Sequence, residues 1–388
     1  MTTPTPQTLS TSQTTPASPD LLYSDVEDEL RASVRALLSD RCPPSAVLAR
    51  CESDTPYDPE LWRTLAGALG TAGLLVPERL GGQGASAREA AVVLEELGAA
   101  VTPVPFLTSA VLATCALLGC DTKDEAVAAL LQQLASGETV AALAVPFTAA
   151  PGVPFPRAVR ASSDGELTGT LTSVADATAA GVLVVPAVGP EGPGLYAVEA
   201  AAARITAPVP LDLTRPIADV GLAGAPARRL EAPDAAAALD GALRAGAGLL
   251  ASEQLGIAQW CLETTVQHLA ERHQFGRPVG SFQAVKHRLA DLWLEVVSAR
   301  AAARAAADAL ASGSDDTRVA VAVAQAYCAG VAVHAAEECV QLHGGIGMTW
   351  EHPAHLFLKR AKADEAALGT PGHHRTALAA AVDLPAAG

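Results

Sequence analysis

Along the chain the apolar positions change rhythm twice. From Leu21 to about Gly137 they recur at helical spacing. Between Glu138 and Glu231 they collapse into short runs, and from Asp234 onward helical spacing returns. The first zone carries helix-start signals. Ser24 with Glu27 and Ser86 with Glu89 have the spacing of capping boxes, and Asp58-Pro59 sets a further helix start. Between them, Leu75-Val76-Pro77-Glu78-Arg79-Leu80-Gly81-Gly82-Gln83-Gly84 is too rich in Gly and Pro for helix or strand, and a loop is predicted.

In the second zone Ala141–Val145, Val182–Val185 and Leu195–Val198 are separated by Pro and Gly clusters, the pattern of short strands in a compact β domain. The third zone has alanine-rich runs of about 25–35 residues, which suit a packed antiparallel helical bundle. The expected organisation is an α+β chain. It comprises a helical domain over 21–137, a β domain over 138–231 and a helical domain over 232–388. Residues 1–20, rich in Thr, Ser and Pro without a basic start or apolar stretch, are expected to be a disordered leader and not a signal peptide.

Half of the 388 residues are apolar but only 4% are aromatic; alanine fills the gap, so the apolar fraction overstates how greasy the core-forming material is. The net charge of −16 excludes nucleic acid as a partner, because phosphate backbones need a basic face. It leaves open small polyanions held by a local donor cluster. No uninterrupted apolar run reaches membrane-spanning length; Val319–Ala336 is broken by Gln325 and Gly330 and is predicted as a buried helix. The seven scattered cysteines lack a C-x-x-C pair, which points to reduced thiols and a cytoplasmic location.

Two stretches carry candidate chemistry. One runs through Gly256-Ile257-Ala258-Gln259, Glu271-Arg272-His273-Gln274-Phe275-Gly276-Arg277-Pro278 and Ser281-Phe282-Gln283. A helix is expected to end near Phe275-Gly276, leaving Arg272 in its last turn. There its guanidinium can bind two anionic oxygens or simply stabilise its own helix end. The other is Gln341-Leu342-His343-Gly344-Gly345-Ile346-Gly347-Met348, whose glycines allow a sharp turn or a close approach of backbone to a ligand.

With the helix–β–helix layout, with Val76–Gly84 and with Glu95-Glu96-Leu97-Gly98, these stretches resemble the acyl-CoA dehydrogenase family of flavoproteins. The resemblance implies a β-barrel-like middle domain and a C-terminal four-helix bundle. It implies FAD as cofactor, an acyl-CoA substrate and an electron-transfer acceptor. Arg272, Gln274 and Phe275 match the segment that reaches the FAD of a neighbouring chain, and Gln283 matches a further contact. Gln341 and Gly345 match the turn holding the adenosine diphosphate portion, and Thr370 joins these expected cofactor contacts. Such enzymes remove a proton beside a thioester and pass hydride from the next carbon to the flavin. They need a carboxylate base on one face of the acyl chain and the flavin on the other.

The chain departs from that pattern. The family's usual glutamate falls on Leu368, before Gly369-Thr370, and the alternative base position falls on Gly246. Glu365, about one helical turn before Leu368, is the candidate substitute if the helix continues; the plainer reading is a surface glutamate. Glu351 is expected to pair with an arginine. In the β zone Val145 replaces an acid, no tryptophan is present, and Thr148 is the remaining candidate for a flavin contact. The histidines His343, His352, His355, His373 and His374 lack metal-site spacing, so no metal is expected. Arg375 has two readings, a phosphate contact or a helix cap. The segment 361–375 resembles actinobacterial subunits that lack the base and complete a partner's site in a mixed heterotetramer. Three functions remain: such a subunit, a self-sufficient enzyme using Glu365, or a flavin-free scaffold.

Overall fold

The computed structural model describes residues 21–384 except 54 and 56; the leader expected over 1–20 lies outside the described residues. The first zone is helical. It contains α1 (Asp25–Arg41), α2 (Pro44–Cys51), α3 (Pro59–Arg63), α4 (Ala87–Ala99), α5 (Thr114–Leu118) and α6 (Glu125–Ser136). Ser24–Glu27 and Ser86–Glu89 form complete capping boxes, and Asp58 caps α3 with Pro59 in its first turn. Phe106–Ala113, ahead of α5, winds with a wider turn and is wholly buried.

The second zone is a mixed sheet. Its strands are β1 (Ala141–Leu143), β2 (Val159–Ala161), β3 (Glu166–Ala175), β4 (Val182–Gly189), β5 (Gly192–Glu199), β6 (Arg204–Thr206), β7 (Ile217–Pro226) and β8 (Arg228–Leu230). The hydrogen-bonded order is β6-β7-β3-β2-β4-β5-β8, with β1 also paired to β4. On the central β4, Val182 and Val184 face the helical core, while Leu183 and Val185 join β3 and β7 in a second, smaller core. That alternation is the period-2 consequence of covering both faces of a strand.

The third zone contains α7 (Ala235–Glu271) and a small hairpin of β9 (His273–Gln274) and β10 (Arg277–Pro278). There follow α8 (Gln283–Ser312), α9 (Thr317–His343), α10 (Ala354–Ala366) and α11 (Pro371–Ala381). The long helices α7, α8 and α9 pack on one another, and a turn at Ala367–Thr370 divides the last bundle element into α10 and α11. The span 317–348, α9 and its following turn, is long and apolar enough to cross a membrane. Its apolar window is 61% buried by the rest of the bundle, as a core helix would be.

The bundle joins the N-terminal helices through an unusually close crossing. A Cβ on Gly256 of α7 would lie 1.9 Å from the carbonyl oxygen of Glu95, and one on Gly98 of α4 would lie 2.2 Å from that of Glu253. Only glycine at both positions lets α4 and α7 approach this far.

Candidate functional site

Apart from Thr370, the residues matched to cofactor contacts gather at one end of the bundle. Helix α7 stops at Glu271, four residues earlier than expected, and Arg272 is its C-cap in extended conformation. The chain turns back because Phe275 and Gly276 both adopt positive φ, 52° and 76°, the tight two-residue turn of a hairpin. Pro278 therefore lies on the return strand. Phe282 supports the hairpin: the Arg277 guanidinium lies 3.9 Å from its ring centroid, and Phe275 meets it edge-on at 6.2 Å.

Arg272, Gln274, Gln283 and Gln341 are exposed, and their side chains make no hydrogen bond or ion pair among the described residues. Phe275 is 89% exposed. Gln341 lies in the last turn of α9 and not in the glycine turn itself, which spans Gly344–Met348. A Cβ on Gly345 would meet nothing within 4 Å, so its face is open to another molecule. Three imidazoles in contact tie this end together: His343 stacks on His268 of α7 at 4.3 Å and meets His352 beyond the turn, tilted, at 4.3 Å. Burial lowers the proton affinity of all three. At His343 the Cys339 thiol and carbonyl outweigh burial, so His343 titrates above its ordinary value and the other two below theirs. Among the described residues no group of three or more His, Cys, Asp or Glu could hold a metal ion.

The two base positions, far apart in sequence, are neighbours in space. A Cβ on Gly246 would lie 3.1 Å from Leu368 Cδ1 and 2.3 Å from Leu112 Cδ2. Leu368 is fully buried, with φ of 52°, and its N–H donates to the Phe147 carbonyl at 2.8 Å. His374 holds the Leu368 carbonyl at 2.9 Å, and His373 approaches that of Pro151 at 3.3 Å. Both positions that the resemblance offers for a base are therefore packed with leucine, and Leu368 is bridged to the sheet by backbone.

Glu365 does not reach it. Helix α10 ends at Ala366, so the continuation that would bring Glu365 over Leu368 is absent, and the carboxylate points to Lys362 at 3.8 Å. Thr370 caps α11, accepting from the His373 N–H at 3.3 Å. Thr148 is exposed. Glu351 is exposed and, contrary to expectation, pairs with no arginine among the described residues. Arg375 lies inside α11 and lines a cavity of about 270 Å³ with Thr370, Glu365 and Lys362; it does not cap the helix.

A buried ionic cluster, unforeseen in the sequence, joins sheet and bundle beside this plug. Arg215, just before β7, reaches Asp364 at 2.6 Å and both oxygens of Glu253, at 2.7 and 2.6 Å. Arg360 reaches Asp212, Glu253 and Thr214 at 2.5, 2.5 and 2.6 Å. Burial raises the Glu253 carboxyl, but Arg215 and Arg360 outweigh it and hold it below its ordinary value. Burial raises Asp176 to about 6, despite the opposing pull of Arg215. The only local sequence signal was Arg360 and Asp364 four apart on one helix. Their partners come from residues 212–215 and 253, which no spacing rule connects.

Residues 24–138 match the acyl-CoA dehydrogenase N-terminal domain and residues 236–382 the acyl-CoA dehydrogenase C-terminal domain. The chain is 35% identical over 352 residues to acyl-CoA dehydrogenase IpdE2 of Mycolicibacterium smegmatis, covering 90% of this chain and 96% of the relative. Among solved structures, it is similar to a chain of the Tcur3481-Tcur3483 steroid ACAD G363A variant. That similarity has 31% identity and a TM-score of 0.82, and covers 92% of this chain and 98% of the other. It is also similar to a chain of the ChsE4-ChsE5 complex from Mycobacterium tuberculosis, with 28% identity and TM-score 0.82, covering 95% of this chain and all (100%) of the other. The chain belongs to the acyl-CoA dehydrogenase family of FAD-dependent oxidoreductases.

Proposed function

We propose that this chain is the base-lacking subunit of a mixed acyl-CoA dehydrogenase, completing the FAD site of a glutamate-bearing paralogue in a heterotetramer. The observation that carries the reading is the packing of Leu112 and Leu368 around Gly246, which leaves neither carboxylate nor room where α-proton removal requires both. At the other end of the bundle, Arg272, Gln274, Gln283, Gln341 and the open face of Gly345 fit the adenosine diphosphate part of a partner's FAD. Bound FAD supplies the hydride acceptor. This chain's own residues supply unpaired donors, a guanidinium able to take two oxygens at once, and a turn held by the histidine stack.

In the chain's own cleft the expected platform for the flavin ring is missing. Phe147 and Leu368 are joined there by backbone, and no tryptophan stands in the sheet. The exposed Phe275 of the hairpin and Trp293 and Leu294 of α8 suit burial against a second chain. The ChsE4-ChsE5 complex among the structural neighbours supports such a partner, and the description of another neighbour as a steroid ACAD makes steroid-derived thioesters the first acyl-CoA substrates to test. An electron-transfer acceptor, a cytoplasmic location and the domain limits 21–137, 138–231 and 232–388 belong to the same reading.

The test is co-expression with a glutamate-bearing paralogue, counting flavin per chain and measuring desaturation. The expected complex is active and carries fewer flavins than chains, while the isolated chain neither holds flavin nor desaturates. A homo-oligomer with one FAD per chain and full activity would overturn the reading.

A further inference from the structure

The cluster between sheet and bundle has more acids than it can hold as anions. Three carboxyl groups, Asp212, Glu253 and Asp364, meet two guanidiniums, Arg215 and Arg360, and all five side chains are buried. Burying an uncompensated charge is costly, so the arrangement favours one proton on one of the acids.

The hydrogen bonds say which one. Both oxygens of Glu253 accept from guanidinium nitrogens. One oxygen of Asp212 accepts from Arg360 and the other from the Thr214 N–H and hydroxyl, at 2.9 and 2.5 Å. Asp364 Oδ1 accepts from Arg215, but its Oδ2 is buried and has no partner among the described residues.

A second orphan belongs to the same neighbourhood. Gln254 donates from Nε2 to the Asp364 carbonyl and to Gln325 Oε1, both at 3.3 Å, while its own Oε1 is buried without a donor. Turning the Gln254 amide over would set its oxygen against those two acceptors. Gln325 cannot turn over to relieve this, because its Nε2 donates to the Ala247 carbonyl at 2.5 Å. The amide orientations are therefore fixed by their neighbours. Gln254 thus lies against the Asp364 backbone, and each of the two side chains keeps one buried acceptor without a donor.

We infer that Asp364 is a neutral acid in the folded protein, its Oδ2–H donating to Gln254 Oε1, and that this proton completes a latch holding α10 and the sheet together. The groups facing it are Arg215 and Asp212 from the segment before β7, Glu253 and Gln254 from α7, Gln325 from α9, and Arg360 from its own helix. Asp176 adds a further buried acid at the end of β3. Burial, reinforced by the charge on Glu253, raises Asp364 well above its ordinary value against the pull of Arg215 and Arg360. Asp364 acts as a positioning residue. It stands four residues before Leu368, so the latch fixes the segment that plugs the cleft whichever function the chain serves.

Infrared difference spectra of the full chain against Asp364→Asn at pH 8 test the assignment. Asp176 is largely ionised at that pH, so it does not mask the signal. The expected result is a protonated-carboxyl stretching band in the parent that the variant loses. Melting temperatures separate this from a merely structural role. Asp364→Asn, which keeps a neutral donor at Oδ2, is expected to melt within about 2 °C of the parent, and Glu253→Gln roughly 5–10 °C lower because it leaves a guanidinium short of its counter-charge. The band can be sought in the parent alone if a variant does not fold. Its absence at pH 8, or equal destabilisation by both substitutions, overturns the inference while leaving the subunit reading untouched.

Discussion

Replacing Asp176 by Asn is expected to stabilise the protein at neutral pH. Asp176 follows β3 at φ of 53°, a left-handed conformation that Asn tolerates as well as Asp. Thr108 donates to its carboxyl at 2.7 Å, a bond that an amide oxygen can also accept. Burial raises its proton affinity from the ordinary 3.8 to about 6; Arg215 and the Thr108 hydroxyl only partly offset this. An acid that binds its proton more tightly when folded favours folding below its unfolded value. That contribution declines as pH rises and is lost once pH passes the folded value, here about 6. The gap corresponds to about 3 kcal/mol at pH 7, with no discount for solvent screening at a side chain this buried. Asn removes the ionisation, so unfolding free energies from urea titration should coincide near pH 4, diverge up to pH 6, and differ by about 2–3 kcal/mol above it. A destabilised variant at pH 7, or a difference independent of pH, would refute the reasoning.

Three further outcomes are expected. Leu368→Glu should not give the isolated chain desaturase activity in a dye-reduction assay, and should cost about 3–5 kcal/mol because the new carboxylate is buried against Leu112 without a cation. Arg272→Ala should change the stability of the isolated chain by less than about 0.5 kcal/mol, since the side chain is exposed and unpaired, yet lower the flavin absorbance of the purified complex. Gly256→Ala should destabilise by about 3 kcal/mol in denaturant titration, because its methyl group meets the Glu95 carbonyl; full stability would mean the crossing yields easily.

Much of the fold was legible because local chemistry wrote it. Ser24, Ser86 and Asp58 bond to backbone two or three residues away, so their spacing suffices to place a helix start. The end of α7 is the part not legible: the chain leaves the helix at Arg272, in extended conformation, to enter a hairpin whose turn is the positive-φ pair Phe275-Gly276, and a bulky aromatic residue gives no sign that it will adopt that conformation. The candidate site divides in the same way. Arg272 and Gln341 stood in recognisable stretches. Leu112, which fills the space between the two base positions, is one apolar residue among many until Gly246 and Leu368 are brought together. The ionic cluster draws on segments 212–215, 253 and 360–364, and long-range pairing of that kind leaves no periodicity to detect.

The crossing of α4 and α7 has a consequence for anyone recombining these proteins. Gly98 and Gly256 lie in different thirds of the chain, yet each admits the backbone of the helix that carries the other. A chimera joining the N-terminal helices of one relative to the bundle of another will assemble only if both parents carry a glycine at their side of the contact. The match at this point, and not overall identity between the parents, sets which halves are interchangeable.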